Sequence, residues 1–221
     1  MRRMLVTGAG RLATELTTGL RAAGHAVEQR PIVDVAKAAV QQMVDDAATA
    51  LGGIDTIVHV HQSAQERTTV VETTTEQWIA ICEDSMTAAF HVTQAAHGAL
   101  AGRGHGRLVF VVPTIGMAGA FGLAASAASA ESLRALTKSV AKQWGKYAIT
   151  VNVIAVGPQH VIAGDIGREV AEGVSLAVPA MGSAGDVATD VAPLVSLLSM
   201  DEAHFLTGTT LVADGGVWLT L

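Results

Sequence analysis

Two short stretches of this chain carry residue types that could do chemistry. Gly8-Ala9-Gly10-Arg11-Leu12-Ala13 spells G-x-G-x-x-A, directly after an apolar run and at the start of a helical pattern. In that setting glycines let the backbone approach a pyrophosphate, and the helix that follows offers it unpaired N–H groups. The same residues also suit a plain glycine turn between strand and helix, and both readings stand at this point. His59-Val60-His61 puts two imidazoles on one side of an extended segment, a spacing that can seed a metal site. No acid or cysteine is spaced to complete it. No metal is therefore expected, and the pair reads as hydrogen-bonded histidines at the sheet's edge. Ser126 could act as a nucleophile only with a base beside it, and nothing in the sequence places one there.

The elements that must position these residues follow from apolar patterning. Leu108-Val109-Phe110-Val111-Val112, bounded by Pro113, reads as a short buried strand. A small-residue loop from Thr114 to Gly122 leads into a long helical pattern from about Leu123 to Trp144. Ile149 to Val156 is a second apolar strand, so this region is a βαβ unit of a parallel sheet. Upstream, Met4–Thr7 is a strand entering a helix that ends near Gly24, and His25–Arg30 is the next strand. Ala36–Leu51 is helical, with Val40, Met43, Val44 and Ala47 on one face, and Gly52-Gly53 stops it. Ile54–Gln62 is a strand, Thr75 caps a helix that runs past Trp78, and a helix spans Gly185 to Leu198.

Composition bounds the rest. The chain has 221 residues, half of them hydrophobic, which suits one α/β domain over 1–221. A net charge of −6 without a basic stripe argues against a nucleic-acid partner. No apolar stretch approaches the roughly 18 residues needed to span a bilayer. Arg2-Arg3 is followed by a strand and not by a signal-peptide apolar region. The single cysteine, Cys82, fits a reducing cytoplasm.

Gly106-Arg107-Leu108-Val109-Phe110-Val111-Val112, with Ala135 to Gly157, resembles the core of the short-chain dehydrogenase/reductase family, and of 3-oxoacyl-ACP reductases in particular. The resemblance implies a Rossmann-like doubly wound parallel sheet in three α/β/α layers. It also implies a Ser at the strand's end and a Tyr-x-x-x-Lys pair on the next helix, the tyrosine moving the proton and the lysine holding the nicotinamide ribose. An ungapped alignment puts Pro113 at the serine, Ser126 at the tyrosine and Ala130 at the lysine. Counting from Trp78 puts Ser85 at the family's catalytic Asn. The only tyrosine is Tyr147, and Val151 stands four residues beyond it, so the pair is absent and not displaced.

The cofactor positions implied are Gly8, Gly10, Arg11, Leu12 and Asp34. Against T-G-x-x-x-G-x-G, Thr7 and Gly8 fit, while Leu12 and Thr14 occupy the later glycines, and Leu12 would put a bulky side chain where the family keeps bare backbone. Asp34-Val35 resembles the family's Asp-Val pair beside the adenine. It follows Arg30 so closely that a helix, and with it one strand, is missing from the β2–β3 region. That loss falls at the adenosine half of the cofactor and argues against tight NAD(P) binding. His59-Val60-His61-Gln62 replaces the family's Asn-Asn-Ala-Gly. Pro158 to Val178 stands where the family has its substrate loop, with Val156-Gly157-Pro158 replacing the usual Pro-Gly opening, and Asp165, Arg168, Glu169 and Glu172 read as a solvated face. Ser199 to Gly216 resembles the family's terminal strand.

In this family the terminal strand forms one subunit interface and the helices over 76–99 and 123–144 form another. The resemblance therefore implies a homo- or hetero-oligomer, with an intact paralogue as the expected partner of a catalytically silent subunit. Two other readings stay open. One is an NAD(P)-dependent oxidoreductase whose proton donor is His59, His61 or His160. The other is a non-catalytic ligand-binding or regulatory protein.

Overall fold

The structure, a computed structural model, describes residues 1–61, 67–162, 169, 179–183 and 185–218. Strands and helices alternate through β1 (Arg3–Thr7), α1 (Gly10–Ala22), β2 (Ala26–Arg30), α2 (Lys37–Leu51) and β3 (Thr56–Val60). A helical rod follows: α3 (Thr75–Trp78), a π-turn (Ile79–Glu83) and α4 (Asp84–Leu100). Next come β4 (Gly106–Pro113), α5 (Ile115–Ala118), α6 (Ala124–Trp144), β5 (Ile149–Val156) and α7 (Pro158–Val161). A second π-turn (Val187–Val191), α8 (Ala192–Leu198) and β6 (Thr210–Ala213) complete the described elements.

Among the described residues the sheet has six strands in the order β2-β1-β3-β4-β5-β6, every neighbouring pair parallel. Parallel strands need crossover helices, which cover both faces and bury the strands. β4 and β5 are accordingly buried along their whole length. On one face Leu12, Leu16 and Leu20 of α1 pack with Val195 and Leu198 of α8. On the other, α2, α4 and α6 pack Val44, Ala96 and Leu133 against Leu108, Phe110 and Val151. This is a doubly wound, three-layer α/β/α fold. Each fully buried large side chain, such as Phe110 or Leu108, contributes about 1.5–3 kcal/mol of transfer free energy. No helix among the described residues is long and apolar enough to cross a membrane.

The chain runs from Arg30 to Lys37 without strand or helix, which leaves β2 on the sheet's margin. His91 of α4 donates from Nδ1 to the Val35 carbonyl at 2.7 Å and pins this short segment across the layer. Gly52 ends α2 in the left-handed region at φ 67°, which a glycine adopts without strain. The rod is capped by Thr74 and not by Thr75. Its hydroxyl accepts from the Gln77 amide, and the Gln77 side chain accepts from the Thr74 amide, a reciprocal capping box that the neighbouring threonine is one residue too late to make.

Candidate functional site

Ligands of doubly wound sheets bind beyond the carboxyl ends of the strands, where the strand order reverses. Here β1 feeds both β2 and β3, and the loop leaving β1 is the glycine-rich one. Gly8 has φ +125°, and a Cβ added there would lie 3.0 Å from Val60 Cβ and 3.2 Å from its carbonyl oxygen. Its amide donates to the Arg30 carbonyl at 3.1 Å. Gly10, at φ +83°, opens α1, whose N-cap Ala9 supplies no side-chain hydrogen bond. The first-turn amides thus lack the usual side-chain partner and stand available to an anion.

The other proposed cofactor contacts are distributed unevenly. Leu12 does not stand in the loop's mouth. α1 already begins at Gly10, which turns the Leu12 side chain inward, 3% exposed, among Met4, Val6 and Val60. Arg11 is exposed and pairs with Glu15 at 2.7 Å. Asp34 is exposed, and its carboxylate accepts from the Ala36 amide at 2.8 Å, a local turn that leads into α2. Arg30 was not among the sequence candidates. It ends β2, pairs with Glu28 at 3.1 Å and keeps its Nε buried without a partner among the described residues. Its position about twenty residues beyond the glycine loop was the available signal, because a ribose-reading residue sits there in dinucleotide folds. Taken together, the glycine cradle, the open helix terminus and the Arg30 cation fit a dinucleotide.

His59 and His61 do not lie at a sheet edge. β3 pairs with β1 on one side and β4 on the other, so both rings are interior. His59 Nδ1 and Thr7 Oγ1 share a hydrogen bond of 2.9 Å, and the ring meets Phe110 edge-on. Burial pushes the His59 imidazole down to about 4. The amide of His61 donates to the Val111 carbonyl, and its Nε2 lies 2.8 Å from Ser129 Oγ on α6. Burial, with the charge of His59 second, pushes His61 down to about 3. Both imidazoles are neutral at physiological pH. Among the described residues no third ligand joins them to hold a metal. Ser129 and Thr7 could not be found from sequence, since 68 positions separate His61 from Ser129.

The structure also places the four positions where the family keeps its proton-transfer groups. Ser85 is buried on α4, just past the first π-turn. Pro113 ends β4 opposite Val156. Ser126 and Ala130 lie one turn apart on α6, each fully buried, and Ala130 belongs to the apolar core with Leu133. A cleft beside Ser126 is lined by Thr68, Thr73, Gln77, Ile81 and Leu123, with Gly122, Ala124 and Ala125 completing the wall, and none of these is ionisable. The chain's tyrosine lies far from it, in the turn after α6, edge-on to His97. His160 is buried at α7. In the segment after it, Asp165, Arg168 and Glu172 lie outside the described residues, while Glu169 is exposed and pairs with Arg67 at 3.4 Å.

Comparison with known proteins decides the family. The family described as Enoyl-(Acyl carrier protein) reductase matches residues 6–218. The chain belongs to the short-chain dehydrogenase/reductase family. Among its relatives, 3-oxoacyl-[acyl-carrier-protein] reductase FabG of Escherichia coli (strain K12) is 28% identical over 186 residues, 82% of this chain and 74% of that protein. (2S)-[(R)-hydroxy(phenyl)methyl]succinyl-CoA dehydrogenase subunit BbsD of Thauera aromatica is 30% identical over 181 residues, 81% of this chain and 71% of that protein. The solved structure of the TT0495 protein from Thermus thermophilus superposes with a TM-score of 0.82 at 26% identity, covering 98% of this chain and 99% of that one. The chain is therefore a 3-oxoacyl-ACP-reductase-like member of this family, whose members typically bind NAD(P).

Proposed function

We propose that this chain is a catalytically silent short-chain dehydrogenase/reductase subunit that assembles with an active NAD(P)-dependent dehydrogenase or reductase and supports it. One observation carries the reading. At the four proton-transfer positions stand Ser85, Pro113, Ser126 and Ala130; Ser126 and Ala130 are wholly buried, and none of the described residues lining the cleft beside Ser126 is ionisable. A serine hydroxyl is too weak an acid for the tyrosine's task, and an alanine cannot lower its pKa. His59 and His61 do not replace it, since imidazoles that titrate near 4 and 3 are not in the acidic imidazolium form at neutral pH.

Exposed apolar side chains on the proposed contact helices support assembly. Trp78, Ile79 and Phe90 lie on the rod and Phe121 stands before α6, all open to solvent in the isolated chain, while Phe205 and Leu206 precede β6. Apolar groups concentrated in this way mark partner surfaces. One relative, BbsD, is itself described as a dehydrogenase subunit. The nucleotide that best fits the glycine loop is NADP(H), because Arg30 stands where an acid would read the ribose of NAD.

The test is turnover by the purified chain alone. With NADPH or NADH and a panel of 3-oxoacyl thioesters and simple ketones, no substrate-dependent oxidation of the nucleotide is expected. Saturable turnover by the chain alone would overturn the reading.

A further inference from the structure

β2 is the outermost strand on its side of the sheet, and its backbone groups alternate in direction. The Ala26 amide donates to the Arg2 carbonyl at 2.9 Å, and the Arg30 carbonyl accepts from the Gly8 amide at 3.1 Å. Residues 26, 28 and 30 thus bond inward to β1, and Val27 and Gln29 turn their N–H and C=O groups outward. The Val27 carbonyl is taken by Arg21, whose Nη2 donates to it at 2.8 Å and Nε at 3.2 Å. The Val27 amide and both backbone groups of Gln29 meet no partner among the described residues. Such an edge is a template for another strand.

Which groups are open selects the strand that fits. Let two copies of β2 run antiparallel about a two-fold axis at Gln29. Each Gln29 then exchanges both backbone bonds with its counterpart, and each Val27 amide donates to the Pro31 carbonyl of the other copy. Proline has no N–H to return to Val27, and the carbonyl left over is the one that Arg21 already holds. The same register sets Glu28 opposite Arg30 on one face, in both directions. Within one chain these two pair at 3.1 Å, and their side chains are open enough for a second contact. An axis at Glu28 would set that acid against itself and would need the carbonyl that Arg21 occupies. Val33, 92% exposed just beyond Pro31, adds apolar surface to the same margin.

We propose that a second copy of this chain pairs with the first through β2, antiparallel about an axis at Gln29, so that the two sheets become one. The joint is short, and the dimer it makes is weak and concentration-dependent. It stands apart from the silent-subunit reading, whose contacts are the rod, α6 and β6 at the opposite edge of the sheet. Either can therefore fail while the other holds.

The experiment combines sedimentation of the full chain over a concentration series with amide hydrogen exchange at both ends of that series. Nucleotide is left out, because Arg30 also faces the glycine loop's ligand. The wild type should dimerise reversibly, and dimerisation should slow exchange of the Val27 and Gln29 amides about tenfold. A dimer built on the helices or on β6 would leave those two amides unchanged. Glu28→Lys and Arg30→Glu, each alone, put like charges across the joint and should weaken pairing about tenfold. An equal mixture of the two variants restores opposite charges in both directions and should regain it. A wild type that stays monomeric, a dimer that leaves Val27 and Gln29 unprotected, variants that pair as tightly as the wild type, or a mixture that regains nothing would overturn the proposal. The exchange measurement needs only the wild-type chain, so it decides even where a variant does not fold.

Discussion

The imidazole of His61 meets the hydroxyl of Ser129 at 2.8 Å across 68 positions of sequence, both side chains sealed from solvent. This bond ties the end of β3 to α6 one residue before Ala130, the position of the family's lysine. The same hydroxyl lies 3.1 Å from the Ser126 carbonyl, so the chain Ser126–Ser129–His61 runs through the region where the family positions its chemistry. A neutral polar tie now occupies ground that a titrating pair would hold.

Acid should loosen this region. His59 and His61 are held near 4 and 3 in the fold, below the usual histidine value of 6.5, so the unfolded chain binds more protons between those limits. Their contribution is fully present above pH 6.5 and is lost as the pH falls toward 4. Each histidine should lower stability by up to about 1.4 kcal/mol per pH unit across that window. Urea melts from pH 7.5 to 4.5 test this. His59→Asn should flatten the slope, and a slope unchanged by the substitution would count against buried neutral histidines.

At the opposite end of the sheet, Asp55 accepts from the Arg3 amide at 2.9 Å, from Arg3 Nε at 3.1 Å and from Arg3 Nη2 at 2.8 Å, with Arg103 and His105 within 3.4 Å. Burial works to raise this carboxyl, but the Arg3 hydrogen bonds and charge outweigh it and hold it below the usual carboxylate value. Its stabilisation is therefore present above pH 4 and lost as the pH falls through the lowered value. Asp55→Asn should cost about 1–3 kcal/mol at pH 7. Since Asp55 lies far from the glycine loop in the fold, nucleotide affinity should not change. A melting temperature equal to wild type would contradict the clamp.

Gly8→Ala probes the loop. At φ +125°, with a Cβ pressed to 3.0 Å from Val60 Cβ, alanine should destabilise the fold by about 1–3 kcal/mol and weaken any bound nucleotide. Gly10, whose added Cβ meets nothing within 4 Å, should lose only the cost of its positive φ on the same substitution. Equal thermal melts for the two variants would show that Val60 does not constrain the loop.

Writing the family residues back should not restore catalysis. Ser126→Tyr with Ala130→Lys inserts volume at two fully buried positions, and overpacking of this kind costs about 1–3 kcal/mol per site. The double variant should melt several degrees lower and still reduce no ketone. Substrate-dependent NADPH oxidation by it would show that the scaffold retains a working cleft.

Much of this was legible in the sequence because period and punctuation carry it. The continuous apolar runs of β4 and β5, the glycines after α2 and the missing helix before Lys37 could be read directly. What sequence could not supply were pairings between distant positions. Leu12 counts as a glycine replacement only in an ungapped register. The early start of α1 puts it in the core instead. His59 and His61 resembled edge groups because neither Thr7 nor Ser129 is near in sequence. The rod's cap fell on Thr74, since three adjacent threonines offer the same hydroxyl and only the reach to Gln77 selects one.

The central claim is that this chain works as a silent member of a mixed assembly. Native mass spectrometry of the protein, tagged and purified gently from its own source, tests it most directly. The expected mass is that of a complex containing an intact short-chain dehydrogenase/reductase partner, held through the helices over 76–99 and 123–144 or the terminal strand. A homomer that carries nicotinamide nucleotide and turns over a ketone by itself would contradict it.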